Sequence, residues 1–471
     1  MQPFKRHGLL LLLVLMGCVS GAYSAEKKIK VSKRYLNFPI THQTDRKAMR
    51  MSVKGKEVCR FVIRLAENEP LYWTFQDVEQ WKGQTITLSY DGPAQALDRI
   101  VQADSIVGGH DMYNEPQRPR YHFTTRRGWI NDPNGLVYLD GKYHLFYQHN
   151  PYERDWENMH WGHAVSTDLT HWDELPDALH PDTIGTIFSG SCVVDYGNTA
   201  GYNTRDGQPA MVAFYTADHP RYQRQCMAYS TDGGLTFTKY EGNPVIDSHE
   251  KWQSHDTRDP KVFWYEPGKH WVLVLNERDG HSIYNSDNLK DWTFKSHITG
   301  FWECPELFEV PVEGNPSDKR WVLWGASGTY MVGSFDGQKF TPEGPKRCNL
   351  GGSAYAAQVF NNLPGDGTRV VKMAWGRITF DGTPFNGVML LPQEQMLIRT
   401  PYGLRLNSYP ARETQSLFKQ VYSARALSSD EANEAMKAYA GDDVLRIKAT
   451  LRLTLCHGCR TELSRTAARG L

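Results

Sequence analysis

The sequence predicts an all-β protein: a five-bladed β-propeller preceded by a small β-sandwich and followed by an incomplete C-terminal β-sandwich. Three observations support this prediction. A turn motif repeats along the middle of the chain, alternating apolar and polar stretches typical of strands precede and follow it, and 471 residues with 40% hydrophobic content suffice for two or three domains. A long two-sheet sandwich is the alternative architecture for the central region.

The N-terminal segment, residues 1–24, resembles an export signal, because Lys5 and Arg6 precede an apolar run that is too short to span a bilayer. Two fates are open, namely cleavage near residues 22–24 or acylation of Cys18 in a sequence that resembles a bacterial lipoprotein box. Both fates predict an exported protein, periplasmic or at the cell surface, with no membrane association beyond this lipid anchor.

The next segment, residues 27–112, is expected to form the small β-sandwich. Alternation at residues 58–65 and 85–90, with a turn signal at residues 91–93, is typical of short strands. No cluster of acidic residues occurs in this segment, so we expect an accessory domain without catalytic residues.

The propeller is predicted over residues 118–405 from a repeated turn that ends each unit. Asp or Gly forms the turn and an aromatic residue begins the next strand. The four clearest copies are residues 166–172, 230–237, 286–292 and 334–340. A fifth unit without this motif is expected from Ala354 to Leu397.

The last segment, residues 406–471, is expected to hold a linker and a truncated C-terminal β-sandwich. A helix is possible over residues 424–440, and a strand is predicted at residues 444–454. Strand alternation then stops, as if a further domain had been shortened.

Charge and cysteine content exclude several classes of function. Lys plus Arg and Asp plus Glu are equal at 53 each, so no overall field attracts nucleic acid or an anionic membrane, and a neutral substrate is favoured. The cysteines are scattered and show no disulfide framework, while Cys456 and Cys459 lack a second pair of zinc ligands. We expect a monomer that needs neither metal nor cofactor.

Three acidic residues stand just before the first strand of three different units: Asp132, Asp259 and Glu303, each close to a proline. Equivalent positions of successive blades are related by rotation about the propeller axis, so the three carboxylates are expected to converge. Any one of them alone is better explained as a turn residue. Together they provide the acid and the nucleophile that cleavage of a glycosidic bond requires. Uncharged groups at residues 188–191 and 353–358 are placed to bind hydroxyls.

Six short motifs follow one another along the middle of the chain: Trp129–Gly135, Phe146–Pro151, Trp156–His163, Phe188–Ser191, Arg258–Pro260 and Glu303–Pro305. In this order they resemble the signatures of glycoside hydrolase family 32, the invertases, inulinases and levanases. The resemblance covers roughly residues 118–400. The N-terminal unit resembles the extra β-domain of Bacteroides-type members. The chain departs from the family pattern at residues 349–353, where many relatives carry an acidic residue, and at residues 390–394.

The resemblance implies that Asp132 is the nucleophile, Glu303 the acid/base and Asp259 the transition-state stabiliser. Arg258 is expected to keep Asp259 charged. Retention of configuration implies that the nucleophile and the acid lie about 5–5.5 Å apart. The residues implied to line the terminal-fructose pocket are Asn131, Gln148, Trp156, Phe188, Ser189, Arg258 and Trp375.

The sequence therefore predicts a retaining β-fructosidase that releases terminal fructose from fructans, oligosaccharide or polysaccharide, and from sucrose. Three alternatives stay open. They are an endo-acting levanase, an inverting arabinan or xylan hydrolase of the related family 43, and a surface lipoprotein that binds fructan without cleaving it.

Overall fold

The computed structural model of the protein describes residues 24–349, 351–419, 422–425 and 427–439. The predicted export signal up to residue 23 with Cys18, the predicted strand at residues 444–454, and Cys456 and Cys459 lie outside the described residues. The chain divides into two compact units, Met1–Val107 and Gly108–Leu471.

The first unit contains two small sheets. Its strands are β1 (Ala25–Lys30), β2 (Tyr35–Ile40), β3 (Lys47–Val53), β4 (Lys56–Ile63), β5 (Tyr72–Asp77), β6 (Thr85–Tyr90) and β7 (Val101–Ala103), with a short helix α1 (Ala94–Asp98). The orders are β1-β6-β3-β4 and β5-β2-β7. Alternate residues of β3 and β6, such as Met49, Met51 and Leu88, are fully buried, as the period of a half-buried strand requires. The alternation noted in the sequence therefore corresponds to β4 and β6.

The second unit consists of successive antiparallel groups of strands. The first three groups hold β8 (Gly128–Leu139), β9 (Lys142–Asn150), β10 (His160–Ser166) and β11 (Asp173–Leu179); β12 (Thr186–Asp195), β13 (Ala210–His219), β14 (Tyr222–Ser230) and β15 (Thr238–Lys239); β16 (Thr257–Tyr265), β17 (His270–Glu277), β18 (Gly280–Ser286) and β19 (Thr293–Thr299). Within each group, neighbours in sequence are neighbours in the sheet.

The remaining strands, apart from β27, form one ten-stranded sheet, in which seven strands follow one path and three more pair beside it. They are β20 (Glu306–Val312), β21 (Asn315–Trp324), β22 (Thr329–Phe335), β23 (Phe340–Pro342), β24 (Arg347–Cys348), β25 (Ala354–Val359), β26 (Val371–Gly376), β27 (Phe385–Asn386), β28 (Val388–Met389), β29 (Gln393–Thr400) and β30 (Gly403–Pro410). β27 pairs with β8 instead. A parallel bridge between Val312 and Leu397 joins the fourth and last groups, whereas the sequence predicted two separate units.

The repeated turns are stabilised by their own side chains. The Asp168 carboxylate accepts hydrogen bonds from two backbone N–H groups of its turn, and the Asn288 amide oxygen does the same. The aromatic residue that follows, Trp172 or Trp292, donates its indole N–H back to a turn carbonyl at 3.2 or 3.1 Å. The Asp or Asn therefore forms the turn and the aromatic side chain closes it.

Apolar clusters lie between successive groups of strands. Trp161 and Tyr215 belong to the cluster between the first and second groups. Similar clusters follow between the later groups, and Leu136 packs in one cluster with Val371, which links the last group to the first. The innermost strands β8, β12 and β16 contact one another in sequence, and β25 also contacts β8. These contacts bring the beginnings of the innermost strands together.

Helices are few and short in the described part of the chain. They are α1, α2 (His249–Trp252), α3 (Ser429–Lys437) and 3-10 turns at Glu79–Trp81, Gly109–Asp111 and Arg412–Leu417. A capping box formed by Ser428 and Glu431 begins α3, which lies inside the range proposed for a helix. Of the helices in these described ranges, none has the length and apolarity to cross a bilayer.

Candidate active site

Irregularities in the innermost strands position the candidate site residues. The ladder register shifts within β8, β12, β16 and β25 at the positions of Asp132, Ser189, Asp259 and Ala356. A bulge takes a residue out of the ladder and redirects its side chain, and bulges are frequent beside active sites. Four strands therefore bulge where the sequence predicted site residues or groups that bind hydroxyls.

The backbone of the acidic cluster is held in the left-handed region. The φ angles are 65° at Asp259, 51° at Glu303 and 40° at Cys304, conformations that are unfavourable for residues with a side chain. Hydrogen bonds hold each of them. The N–H groups of Asp259 and Glu303 donate to Thr216 Oγ1 at 2.9 Å and Asn276 Oδ1 at 2.8 Å, and the N–H of Cys304 donates to Asp259 Oδ2 at 2.9 Å.

Asp132 is enclosed by hydrogen-bond donors. Ser189 Oγ donates to Oδ2 at 2.7 Å, Asn131 Nδ2 donates to Oδ1 at 3.1 Å, and the Cys304 thiol lies 3.5 Å from Oδ2. Burial raises the pKa of Asp132, the hydrogen bonds from Ser189 and Asn131 oppose this rise, and the charge of Glu303 adds to it. The donors favour the ionised form that a nucleophile needs.

Asp259 is a buried carboxylate whose ionisation is opposed by its surroundings. Burial raises its pKa to about 7, and the nearby charge of Asp132 adds to the rise. Arg258 opposes it, but only from 4.0 Å, because its guanidinium instead contacts Asp256 at 2.5 Å and Glu303 at 2.7 Å. Arg258 therefore lowers the pKa of Asp259 and favours its charged form, but burial outweighs this effect.

Glu303 lies at the open side of the cluster, with its side chain 24% exposed. Arg258 donates to Oε1 at 2.7 Å, and the Tyr355 hydroxyl donates to Oε2 at 2.6 Å. Burial and the charge of Glu303 raise the pKa of Tyr355, so the phenol stays a donor. Arg258 is itself held by Asp256 and lies 5.3 Å from the centre of the Trp302 ring.

Aromatic side chains stand on two sides of the acids. The Trp129 indole N–H donates to Asn131 Oδ1 at 2.8 Å, and its ring packs edge-on against Trp375 at 5.7 Å. On the other side Trp156, which is 47% exposed, packs edge-on against Phe188 at 6.0 Å. Exposed aromatic faces beside polar groups suit the stacking of sugar rings.

Gln148 braces the wall of the site. It is buried, and its amide donates to the Ile187 carbonyl at 3.0 Å, next to Phe188. Contacts among the described residues thus connect all ten residues that the sequence predicted for the site. Tyr355 and Cys304 lie within the predicted motifs but were not predicted as site residues. Asn276 carried no sequence signal, because it lies on β17 and contacts Glu303, which precedes β20 in the next group of strands.

The described residues contain no group of three or more histidine, cysteine, aspartate or glutamate side chains placed to hold a metal ion. The carboxylates at the site can supply acid–base and nucleophilic chemistry. A pair of Asp and Glu side chains at one site is typical of enzymes that cleave glycosidic bonds with two carboxyl groups. In this chain Cys304, which follows Glu303, contacts Asp132 at 3.5 Å.

Comparison with known proteins agrees with this class. Residues 122–406 match the family described as the Glycosyl hydrolases family 32 N-terminal domain. The chain belongs to glycoside hydrolase family 32.

Individual proteins are also similar to the chain. The chain is 42% identical to the levanase of Bacillus subtilis (strain 168) in an alignment 368 residues long, which covers 73% of this chain and 54% of the levanase. The chain therefore spans about half the length of that relative. The crystal structure of exo-inulinase from Aspergillus awamori has a TM-score of 0.61 and 34% identity, covering 66% of this chain and 71% of that one. The fructofuranosidase from Schwanniomyces occidentalis complexed with fructose has a TM-score of 0.58 and 36% identity, covering 64% of each chain.

Proposed function

We propose that this chain is a retaining β-fructosidase that hydrolyses terminal β-D-fructofuranosyl linkages in fructans such as levan and inulin, and in sucrose. The observation that carries the proposal is the contact of Cys304, the neighbour of Glu303, with the Asp132 carboxylate at 3.5 Å. This contact supports two carboxyl groups acting on one bond. The similarity to a levanase, an exo-inulinase and a fructofuranosidase complexed with fructose supports fructose as the sugar recognised.

In the proposed mechanism Asp132 attacks the anomeric carbon of the terminal fructose while Glu303 protonates the leaving oxygen. The Glu303 carboxylate produced by this transfer is stabilised by Arg258 and Tyr355, which already donate to its two oxygens. Glu303 then takes a proton from water, and the resulting hydroxide releases fructose from Asp132. Asp259 is proposed to hold fructose hydroxyls.

The remaining pocket residues are proposed to enclose one terminal fructose. Asn131 and Ser189 orient Asp132, while Trp156 with Phe188 and Trp375 form the two aromatic sides. Gln148 braces the wall beside Phe188. A pocket that encloses a chain end supports exo action, and early release of long oligomers from levan is the outcome that favours the endo-acting alternative.

The architecture proposed around this site is a five-bladed propeller with flanking β-sandwiches, divided as residues 27–112, 118–405 and 406–471. The apolar cluster that joins the last group of strands to the first supports a closed ring. We further propose that the protein is exported, as an extracellular exo-inulinase among its relatives suggests, and acts as a monomer, with either a cleaved signal or a lipid anchor at Cys18.

The test is fructose release from levan, inulin and sucrose by the purified chain lacking residues 1–24. Asp132→Ala and Glu303→Ala are expected to lower turnover by at least about a thousandfold without unfolding the protein. Asp287→Ala, which removes an exposed turn carboxylate, is the matched control and should leave turnover unchanged. Undiminished release by Asp132→Ala would refute the assignment. Fructan binding without release by the wild-type chain would support the binding-only alternative.

A further inference from the structure

Lys372 is a buried cation that has no counterion among the described residues. The side chain lies on β26 and the residue is 3% exposed, yet its ammonium nitrogen has no hydrogen-bond partner among the described residues. The contact that it does make is with the face of the Trp324 ring, whose centre is 4.6 Å away. A cation–π contact compensates for only part of the hydration that a buried ammonium loses.

A second buried lysine, Lys261, has both a counterion and a hydrogen-bond acceptor. Lys261 is 2% exposed, and its ammonium nitrogen lies 2.9 Å from Glu306 and donates to the Val359 carbonyl at 2.9 Å. Lys372 has neither kind of partner. Burial lowers its pKa to about 7, and no neighbouring carboxylate opposes that change. Close to neutral pH the ammonium therefore gains from any anion that reaches it.

Lys372 lines a cavity of about 570 Å³. The other polar side chains on its wall are uncharged: Asn349, Ser353, Gln393, Asn407 and Ser408. The described residues that line it include no aspartate or glutamate. Open space surrounds Gly351 and Gly352, and at this end Arg377 donates to the Gly352 carbonyl at 2.8 Å and is exposed. The cavity thus combines a buried cation, a second cation nearby and neutral donors.

We propose that this cavity is a binding site for a small tetrahedral oxyanion of the phosphate or sulfate class, with Lys372 as its counter-charge. Hydroxyl and amide groups such as those of Ser353 and Asn407 are available to donate to further oxygens of the anion. A neutral sugar satisfies these groups but leaves the Lys372 charge uncompensated, so an anion fits the cavity better. The proposal concerns binding and is independent of the activity proposed for the acidic cluster.

The proposal is tested by thermal unfolding of the full chain in sodium phosphate, sodium sulfate or sodium acetate. Each salt is compared with sodium chloride of equal ionic strength. Phosphate or sulfate is expected to raise Tm saturably by about 2–5 °C at a large excess over Kd. The acetate sample shows whether the site binds a carboxylate instead of a tetrahedral oxyanion. Lys372→Met keeps the stem over Trp324 and should abolish the effect, whereas Lys339→Met, on an exposed turn, should retain it.

A second measurement does not depend on the folding of a variant. Reductive methylation with formaldehyde, followed by peptide mass spectrometry of the wild-type chain, reports the accessibility of the Lys372 amine. Phosphate at ten times its Kd should slow labelling of Lys372 about tenfold and leave Lys339 unaffected. Equal Tm shifts in wild type and Lys372→Met, or labelling of Lys372 that is indifferent to phosphate and sulfate, would overturn the proposal. A response to acetate alone would replace the tetrahedral anion by a carboxylate and would equally overturn it.

Discussion

Replacement of Asp259 by asparagine is expected to stabilise the fold at neutral pH and to abolish turnover. The pKa of Asp259 rises from 3.8 to about 7, mainly through burial, which corresponds to at most about 4 kcal/mol in favour of the neutral form. The folded state therefore binds more protons than the unfolded state between about pH 4 and pH 7, and stability falls as pH rises through that window. Asparagine removes this penalty and keeps an oxygen for the Cys304 N–H.

The gain is expected to be close to zero at pH 4 and largest above pH 7, where it should reach up to about 8 °C in Tm. Urea unfolding and thermal unfolding of both proteins from pH 4 to pH 8 measure it. Fructose release measured on the same samples should be lost at every pH, since asparagine is neutral. A stabilised but inactive variant is the usual sign of a residue kept for function at a cost in stability.

Asp177→Asn is the matched control, because this substitution is expected to lower the stability of the fold at neutral pH. Asp177 is buried too, and although burial alone raises its pKa, the contact with His149 at 2.7 Å holds it at about 2. The ionised Asp177 carboxylate therefore contributes to folding stability above pH 4, and this contribution is lost as pH falls toward 2. The asparagine variant should therefore be about 2 kcal/mol less stable at pH 7. The reasoning is refuted if Asp259→Asn is destabilised at pH 8, or if its effect does not vary with pH.

Two further predictions concern the groups around the acids. Tyr355→Phe removes a hydrogen bond to Glu303 and should lower kcat about 10- to 100-fold with little change in Tm; a wild-type kcat would show that the contact does not assist catalysis. Lys261→Met leaves Glu306 buried without its partner and should cost about 3–5 kcal/mol in urea unfolding, and adding Glu306→Gln should recover part of that loss. No recovery in the double variant would contradict the ion-pair explanation.

The local features of the fold were accessible from the sequence because they depend on neighbouring residues. The repeated turns at Asp168 and Asn288 use side chain to backbone hydrogen bonds within a few residues. Strand alternation predicted β4 and β6 in the same way. The parallel bridge between Val312 and Leu397 joins residues that are far apart along the chain, so no local pattern indicates that the last two groups share one sheet.

In the candidate site, too, some features were predictable from the sequence and others were not. Repetition of an acid before an innermost strand predicts that Asp132, Asp259 and Glu303 converge, and their contacts with Cys304 and Arg258 bring them together. The partners of these groups were not predictable. The Arg258 guanidinium lies 2.7 Å from Glu303 and 4.0 Å from Asp259, and no local sequence pattern indicates this difference.

The strained backbone and the buried carboxylates of the site lower the stability of the fold, and packing elsewhere compensates for this cost. The bulge that presents Ser189 to Asp132 requires Gly190, because a Cβ there would lie 1.9 Å from the Phe214 carbonyl oxygen. Left-handed residues and buried carboxylates each cost about 1–3 kcal/mol or more. The apolar clusters between the groups of strands supply stability without contributing to the site. Changes in the acids should therefore alter activity while the fold persists, and changes in the clusters should unfold the protein before they alter its chemistry.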